Sequence, residues 1–108
     1  MNLDELQESA RAERERLWRH YKVEDERVRA LAHMTKVTEE VGELGEEVLM
    51  QLGLQRKKKL DGRARGNIEK EFADVIYTTA ILADTLGVDL DKVMTVRIAE
   101  IKERDYEE

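Results

Sequence analysis

The chain has 108 residues and a formal net charge of −6, with 41% charged and 5% aromatic residues. The acidic balance argues against affinity for nucleic-acid backbone or for an anionic membrane surface. The absence of cysteine excludes disulfides, zinc–thiolate sites and thiol nucleophiles. The length predicts one domain over residues 1–108, with so modest a core that a homo-oligomer is expected. No apolar run approaches the ~18 residues of a membrane span, and the N-terminus lacks the basic and apolar regions of a signal peptide. The expected location is therefore cytoplasmic.

Composition and periodicity predict an all-α fold with four helices and no sheet. No proline interrupts the chain, and apolar residues recur at spacings of three and four rather than two. Asn67 and Asp89 are predicted N-caps, and Gly87 suits the position just beyond the third helix. The predicted helices span about 3–21, 24 or 25 to 53 (or to 60), 67–86, and 89 to the end.

Each of the last three predicted helices has an apolar face that is expected to point into the bundle. Gly42 and Gly45 fall inside helix two, where each costs ~1 kcal/mol relative to alanine. Close approach of another backbone or of a ligand, or simply tight helix packing, would account for them. The residues expected to point inwards are Val28, Leu31, Met34, Val37, Val41, Leu44 and Val48 in helix two, Ile68, Phe72, Val75, Ile76, Thr79, Leu82, Ala83 and Leu86 in helix three, and Leu90, Val93, Met94, Ile98 and Ile101 in helix four.

A basic stretch at 56–65 lies between helices two and three, and the Asp61-Gly62 pair within it predicts a turn. Such a stretch could draw in a polyphosphate. A solvated loop is the more common role of a charge run, and it is the favoured reading here.

Two acidic motifs are the most informative feature of the sequence. Glu40 and Glu43 in helix two, and Glu71 and Asp74 in helix three, each lie three residues apart and share a helix face. Both pairs lie on the same flank of their apolar face, so antiparallel packing of the two helices can bring the four carboxylates together. Like charges so close repel unless a cation lies between them, which favours a hard divalent metal such as Mg²⁺. The alternative is a solvated acidic face.

At these residues the chain resembles the MazG-type members of the all-α nucleoside triphosphate pyrophosphohydrolase superfamily. Their motif is EExxE, a spacer and ExxD, which here reads Glu39-Glu40-x-x-Glu43 and Glu71-x-x-Asp74. The resemblance covers roughly residues 31–106 and extends to two flanking sequences, Lys36-Val37-Thr38 and Leu86-Gly87-Val88-Asp89-Leu90.

The resemblance implies a four-helix MazG-like bundle, completed by oligomerisation. It also implies Mg²⁺-dependent hydrolysis of (deoxy)nucleoside triphosphates to the monophosphate and pyrophosphate, in house-cleaning of nucleotide pools, with Mn²⁺ as a substitute. Glu40, Glu43, Glu71 and Asp74 would be the metal ligands. Glu39 would bind a further ion or orient the attacking water, which makes Glu39, Glu40 and Glu43 the catalytic candidates. Mg²⁺ suits this role because it bridges carboxylates to phosphates and activates a bound water.

The candidate substrate-binding residues are less uniform. Members of this family often carry Lys-x-x-x-Asn on the last helix, where this chain has Arg97 and Ile101. Arg97 can still contact phosphate bidentately, whereas Ile101 cannot replace an amide. Lys36 and Arg104 are further candidates for phosphate. Trp18 could stack on a nucleobase, although an interface or core position is the more common role of a tryptophan.

The expected partners are a nucleoside triphosphate and further copies of the chain, as a homodimer or a dimer of dimers in which a neighbour supplies part of the nucleotide pocket. Two other functions stay open: a non-catalytic helical module for oligomeric interaction, and a ferritin-like metal protein. The second is disfavoured because neither His20 nor His33 follows a glutamate by three residues. Both histidines are expected at the surface or at a helix end, and Phe72 is expected in the core.

Overall fold

The computed structural model describes residues 1–54 and 67–106. Within these ranges the regular structure is helical, which confirms the all-α prediction. The helices are α1 (Leu3–His20), α2 (Glu26–Gln51), α3 (Ile68–Thr85) and α4 (Leu90–Lys102). In the part of the chain that is described, no helix has both the length and the apolar character needed to cross a bilayer.

Each of the four described helices begins at a residue whose side chain caps the first turn. Asn2, Asp25, Asn67 and Asp89 have extended backbone conformations, and each side chain accepts a hydrogen bond from a backbone N–H two or three residues further on. Such caps satisfy amide groups that have no partner inside the helix. The predicted caps at Asn67 and Asp89 are therefore confirmed.

Two helices end in the same glycine motif. Gly53 follows α2 with φ 70° and Gly87 follows α3 with φ 71°, a conformation that residues with a Cβ rarely adopt. After α2, the Leu54 N–H donates to the Leu49 carbonyl at 2.8 Å, and the corresponding hydrogen bond recurs after α3. Local chemistry thus ends α2 at the earlier of its two predicted positions.

Helix α3 lies between α1 and α2 and packs against both, while α4 lies against α1. Glu40 of α2 lies beside Glu71 of α3, whereas His33 of α2 shares a cavity wall with Ile81 of α3. Residue numbers therefore rise along one helix as they fall along the other, so α2 and α3 are antiparallel.

The buried apolar core lies where α1 crosses α3. Ala10 and Ala80 are both fully buried, and Ile81 is 5% exposed. Two alanines at the crossing let the helix axes approach closely, since the side chains at a contact set the interaxial distance. Around this contact pack three partly buried residues: Leu6, Tyr77 and Leu90.

Polar side chains fasten α1 to the end of α3 and to the start of α4. The Asp84 carboxylate, whose side chain is 5% exposed, pairs with Arg11 at 3.0 Å and with Arg14 at 2.9 Å. The buried Gln7 amide donates to the Val88 carbonyl and accepts from the Leu90 N–H. These contacts hold the α3–α4 turn against α1.

The predicted inward faces are largely wrong for the chain by itself. Helix α2 instead buries His33, Glu40 and Glu47, which recur every two turns on one stripe. That polar stripe faces the neighbouring helix, so the apolar stripe beside it points outwards. Phe72, predicted in the core, is 51% exposed, and no residue of α4 is buried. The predicted inward residues with large exposed fractions are Val28, Leu31, Met34, Val41, Val48, Phe72, Ile76, Leu86, Val93, Met94, Ile98 and Ile101.

Two smaller expectations also need correction. His33, expected at the surface or at a helix end, is 7% exposed in the middle of α2, because it packs against Trp18 of α1. Gly42 and Gly45 have open space around them: within the described residues, a Cβ built on either would meet no atom within 4 Å. Tight packing against the described part of the chain therefore does not explain these glycines. His20 lies exposed in the last turn of α1, as expected.

Candidate metal centre

Three of the predicted metal ligands converge between α2 and α3. Glu40 and Glu43 lie one turn apart on α2, and Glu71 lies in the first turn of α3. Each residue offers one carboxylate oxygen, and the three oxygens lie within 4.8 Å of one another. We call Glu40, Glu43 and Glu71 the carboxylate cluster.

Burial leaves two oxygens of the cluster without a hydrogen-bond donor. The side chains of Glu40 and Glu71 are 8% and 13% exposed. Among the described residues, Glu40 Oε2 and Glu71 Oε2 are buried and have no hydrogen-bond partner. A buried acceptor left in this state costs about 1–3 kcal/mol, and more when it is charged. Within the described residues the cluster is therefore incompletely partnered, which suits an added cation.

The electrostatics of Glu43 report the same excess of negative charge. A hydrogen bond with Glu40 raises the pKa of the Glu43 carboxyl, and the charges of Glu40 and Glu71 raise it further. The nearby Lys36 opposes this shift. The hydrogen bond favours a protonated Glu43, and the neighbouring carboxylates add to the shift because each one makes ionisation of the next less favourable.

A lysine stands one turn before an acid of each motif. Lys36 Nζ lies 3.2 Å from Glu40 Oε1, and Lys70 Nζ lies 2.9 Å from Asp74 Oδ2. The hydrogen bonds to Glu40 and Asp74 are the main reason that the pKa values of the two ammonium groups are raised. Lys70 was not among the residues picked out from the sequence, although its spacing from Asp74 equals that of Lys36 from Glu40.

The remaining acids of the two motifs lie outside the cluster. Asp74, predicted as the fourth ligand, is half-buried and bound to Lys70 rather than joined to the three converging oxygens. Glu39 is exposed, with its carboxylate 3.6 Å from Lys36. The sequence motifs thus specify more acids than the structure brings together.

A cavity of about 340 Å³ is linked to the cluster through Lys36, which lines the cavity and contacts Glu40. The apolar wall of the cavity is formed by Leu17, Tyr77 and Ile81, and its rim includes Lys36. His33 lines the same cavity. The volume lies in the range of small-ligand sites, which begins at roughly 300 Å³.

The other predicted substrate-binding residues lie apart from the carboxylate cluster. The Trp18 indole N–H donates to His33 Nε2 at 3.0 Å, and Arg29 stacks over the Trp18 ring. Arg97 of α4 pairs with Glu100 at 2.8 Å, and Arg104 lies exposed just beyond that helix. The basic stretch at 56–65, including its predicted turn, lies outside the described residues.

The donor set fits a hard divalent cation. Mg²⁺ and Mn²⁺ prefer carboxylate oxygens. A ligand distance of ~2.1 Å places opposite ligands of one Mg²⁺ ~4.2 Å apart. The present oxygens span up to 4.8 Å, so rotation of an exposed side chain such as Glu43 is enough to close the difference. A soft metal would find neither thiolate nor imidazole among the cluster residues.

An antiparallel helix pair with three carboxylates converging between its helices defines an all-α protein with a clustered acidic site. A family model of the MazG nucleotide pyrophosphohydrolase domain matches residues 29–107, which include both acidic motifs and three of the four helices. The chain belongs to this family.

A curated protein matches part of the chain. The uncharacterized protein YpjD of Bacillus subtilis (strain 168) is 36% identical over 62 residues, which are 57% of this chain and 54% of YpjD. The chain thus spans about half the length of this relative. No solved structure matches the chain.

Proposed function

We propose that the chain hydrolyses (deoxy)nucleoside triphosphates to the monophosphate and pyrophosphate, with Mg²⁺ as cofactor and Mn²⁺ as a substitute, in house-cleaning of nucleotide pools. Membership of the MazG family supports the reaction class. The observation that carries the metal dependence is the pair of buried, unpartnered oxygens on Glu40 and Glu71. A cation satisfies both oxygens and removes the repulsion that raises the pKa of Glu43.

In this proposal Glu40, Glu43, Glu71 and Asp74 hold the metal. A divalent cation held by these residues would supply positive charge against the triphosphate and would make a nearby water more acidic. Glu39 is exposed next to the cluster, so its carboxylate can orient the attacking water or hold a further ion. Glu40 and Glu43 complete the catalytic set.

Substrate recognition uses the neighbouring cavity. Lys36 lies between the cavity rim and the cluster, where an ammonium can contact phosphate while the base and sugar enter the apolar part. Trp18 supports the cavity wall through its hydrogen bond to His33. Arg97 and Arg104 contact phosphate in this scheme from the α4 side, either within the chain or across a subunit interface.

The exposed apolar faces support an oligomer, as a homodimer or a dimer of dimers. Leu31, Phe72 and Ile76 are 67%, 51% and 54% exposed in the single chain. Many large apolar side chains exposed on neighbouring helices favour a protein–protein interface in a soluble protein. Light scattering at micromolar concentration is expected to give a dimer or tetramer, and Leu31→Glu is expected to shift it towards monomer. A monomeric wild-type chain would contradict the proposal.

The reaction is tested by product analysis. Canonical and modified nucleoside triphosphates are incubated with the chain and Mg²⁺ or Mn²⁺, and the products are separated by chromatography. The proposal requires monophosphate and pyrophosphate in equal amounts, and loss of both with excess chelator. Release of diphosphate and inorganic phosphate, or no turnover with any substrate, would overturn it.

The same apolar faces favour one alternative, a non-catalytic module for oligomeric interaction. Thermal melting with and without Mn²⁺ separates the two functions, because an ion that binds only the folded chain raises the melting temperature. A melting temperature that is unchanged by Mn²⁺, together with no turnover, would support the interaction module.

A further inference from the structure

Lys70 occupies a distinctive position beside the carboxylate cluster. Its ammonium nitrogen lies 2.9 Å from Asp74 and 3.7 Å from Glu71. It therefore bridges one acid of the cluster and the predicted ligand that stays outside it. Lys36 repeats this arrangement on α2, at 3.2 Å from Glu40.

The Lys70–Asp74 pair contributes little to the stability of the helix. A lysine placed four residues before an acid is the weaker of the two orders for an ion pair within a helix. The two side chains are also 62% and 35% exposed, and exposed ion pairs of this kind are weak because water screens them. A stronger cation can therefore break the pair readily.

We propose that Lys70 is a tethered counter-cation that holds Asp74 outside the carboxylate cluster and is displaced when a divalent cation binds. The inference rests on the proposed metal site. A divalent ion interacts more strongly with these carboxylates than an ammonium does, since it carries twice the charge and coordinates them directly. Displacement frees Asp74 to join Glu71, Glu40 and Glu43.

The displaced Lys70 ammonium also has a role once the divalent cation is bound. Its side chain is anchored in the first turn of α3, so its positive charge stays next to the acids that hold the cation. A triphosphate bound to that cation then meets a second positive group. One lysine thus partners the carboxylates in the metal-free chain and the phosphates in the substrate complex.

The test compares Lys70→Met with Lys92→Met, which removes an exposed lysine from α4. Mn²⁺ affinity is measured by calorimetry and by electron paramagnetic resonance at fixed pH and ionic strength. Lys70→Met removes a positive charge that repels the bound ion, so Mn²⁺ is expected to bind about tenfold more tightly. The figure follows from the Coulomb repulsion between one charge and a divalent ion ~6 Å away in water. Lys70→Arg keeps the charge and is expected to bind Mn²⁺ as the wild type does.

Melting of the metal-free chain gives a second readout. Because the ion pair itself is weak, the metal-free melting temperature of Lys70→Met is expected to fall only slightly, whereas its rise with Mn²⁺ is expected to exceed that of the wild type. Affinity and melting equal to those of Lys92→Met would overturn the exchange and leave the metal site standing. Weaker Mn²⁺ binding would also overturn it, because Lys70 would then position the ligands rather than compete. A wild-type chain that binds no Mn²⁺ would overturn both the exchange and the metal site.

Discussion

Helix α3 carries a largely buried carboxylate near each end, and the two differ in how fully their charge is paired. At one end Asp84, with its side chain 5% exposed, pairs with the guanidinium groups of Arg11 and Arg14. At the other end Glu71 is 13% exposed, has one oxygen without a hydrogen-bond partner in the described residues, and is 3.7 Å from the Lys70 ammonium. The same helix thus has one neutralised carboxylate and one that is left incomplete.

The contrast separates a structural site from a binding site. A buried charge is tolerated when a partner of opposite charge compensates for its desolvation, as the two arginines do for Asp84. Glu40 and Glu71 each have only one lysine nearby, more than half exposed, and each keeps one buried oxygen without a hydrogen-bond partner among the described residues. We infer that the end of α3 with Glu71 is suited to binding a cation, and that the end with Asp84 holds α1 in place through the two arginines.

Of the substitutions that test the difference between the two ends of α3, Glu40→Gln is expected to have the largest effect, which is on turnover. The substitution keeps the shape of the side chain but removes a charge from the proposed metal ligands, so turnover is expected to fall about 100-fold or more, given that a catalytic metal contributes several kcal/mol. Mn²⁺ binding should weaken in parallel. Helical circular dichroism should stay unchanged and metal-free stability should not fall, because one repulsive charge has been removed from the cluster.

The exposed Glu69 of α3 provides a matched control, since Glu69→Gln makes the same chemical change two residues from Glu71. This control should keep turnover within a few-fold of the wild type. If Glu40→Gln retained full activity and Mn²⁺ affinity, the carboxylate cluster would not be the metal site.

Asp84→Asn is expected to do the opposite of Glu40→Gln: it should lower the free energy of unfolding and leave turnover and Mn²⁺ affinity unchanged. It leaves two arginines without their shared partner. Breaking a fully buried pair costs 3–5 kcal/mol, but Arg11 and Arg14 are 55% and 29% exposed. After allowance for this screening, a loss of about 2 kcal/mol in the free energy of unfolding is expected from urea titration. Unchanged stability, or a loss of Mn²⁺ affinity as large as that of Glu40→Gln, would erase the distinction between the two ends of α3.

Local sequence chemistry predicted the helices well. Asn67 and Asp89 cap the third and fourth helices, and Gly87 ends the third, because these features depend on a few neighbouring residues. Helical spacing also predicted the side of α2 and α3 on which Glu40, Glu43 and Glu71 meet. It did not predict that Asp74 stays apart, because that depends on the side-chain conformation of Lys70.

The burial of the apolar faces could not be predicted from periodicity. An amphipathic pattern identifies which stripe avoids water, but not whether the same chain or another molecule covers it. Leu31 and Phe72 follow the pattern and are nevertheless exposed in the chain. Periodicity did place Ala10 on the apolar stripe of the first helix, but it did not predict Ala80 as its partner, since alanine contributes little to an apolar stripe and yet permits a close helix crossing.

A smaller effect is expected from Gly42→Ala. This substitution tests whether another subunit or the substrate contacts the open surface at Gly42 in the active protein. Gly42 lies next to Glu43, and a Cβ there meets no described atom within 4 Å. In the chain alone, alanine should therefore stabilise the helix by about 1 kcal/mol in urea titration. If stability instead falls, or the Michaelis constant rises several-fold, a neighbouring subunit or the substrate approaches this position closely.

The smallest effect is expected from a substitution of His33, whose buried imidazole must be neutral at Nε2 to accept the hydrogen bond from Trp18. Burial lowers the pKa of its imidazole, and the charge of Arg14 lowers it further, while Nε2 accepts the Trp18 N–H at 3.0 Å. Because the unfolded chain takes up this proton at a higher pH than the folded chain, the stability contributed by neutral His33 is present above the ordinary histidine pKa and is lost as the pH falls towards the folded value. His33→Gln keeps an acceptor for Trp18 but does not titrate, so the fall in melting temperature between about pH 7.5 and pH 5 should be smaller than in the wild type. Identical pH profiles would show that His33 is protonated alike in both states, and that its burial has no energetic consequence comparable to that of Asp84 or Glu71.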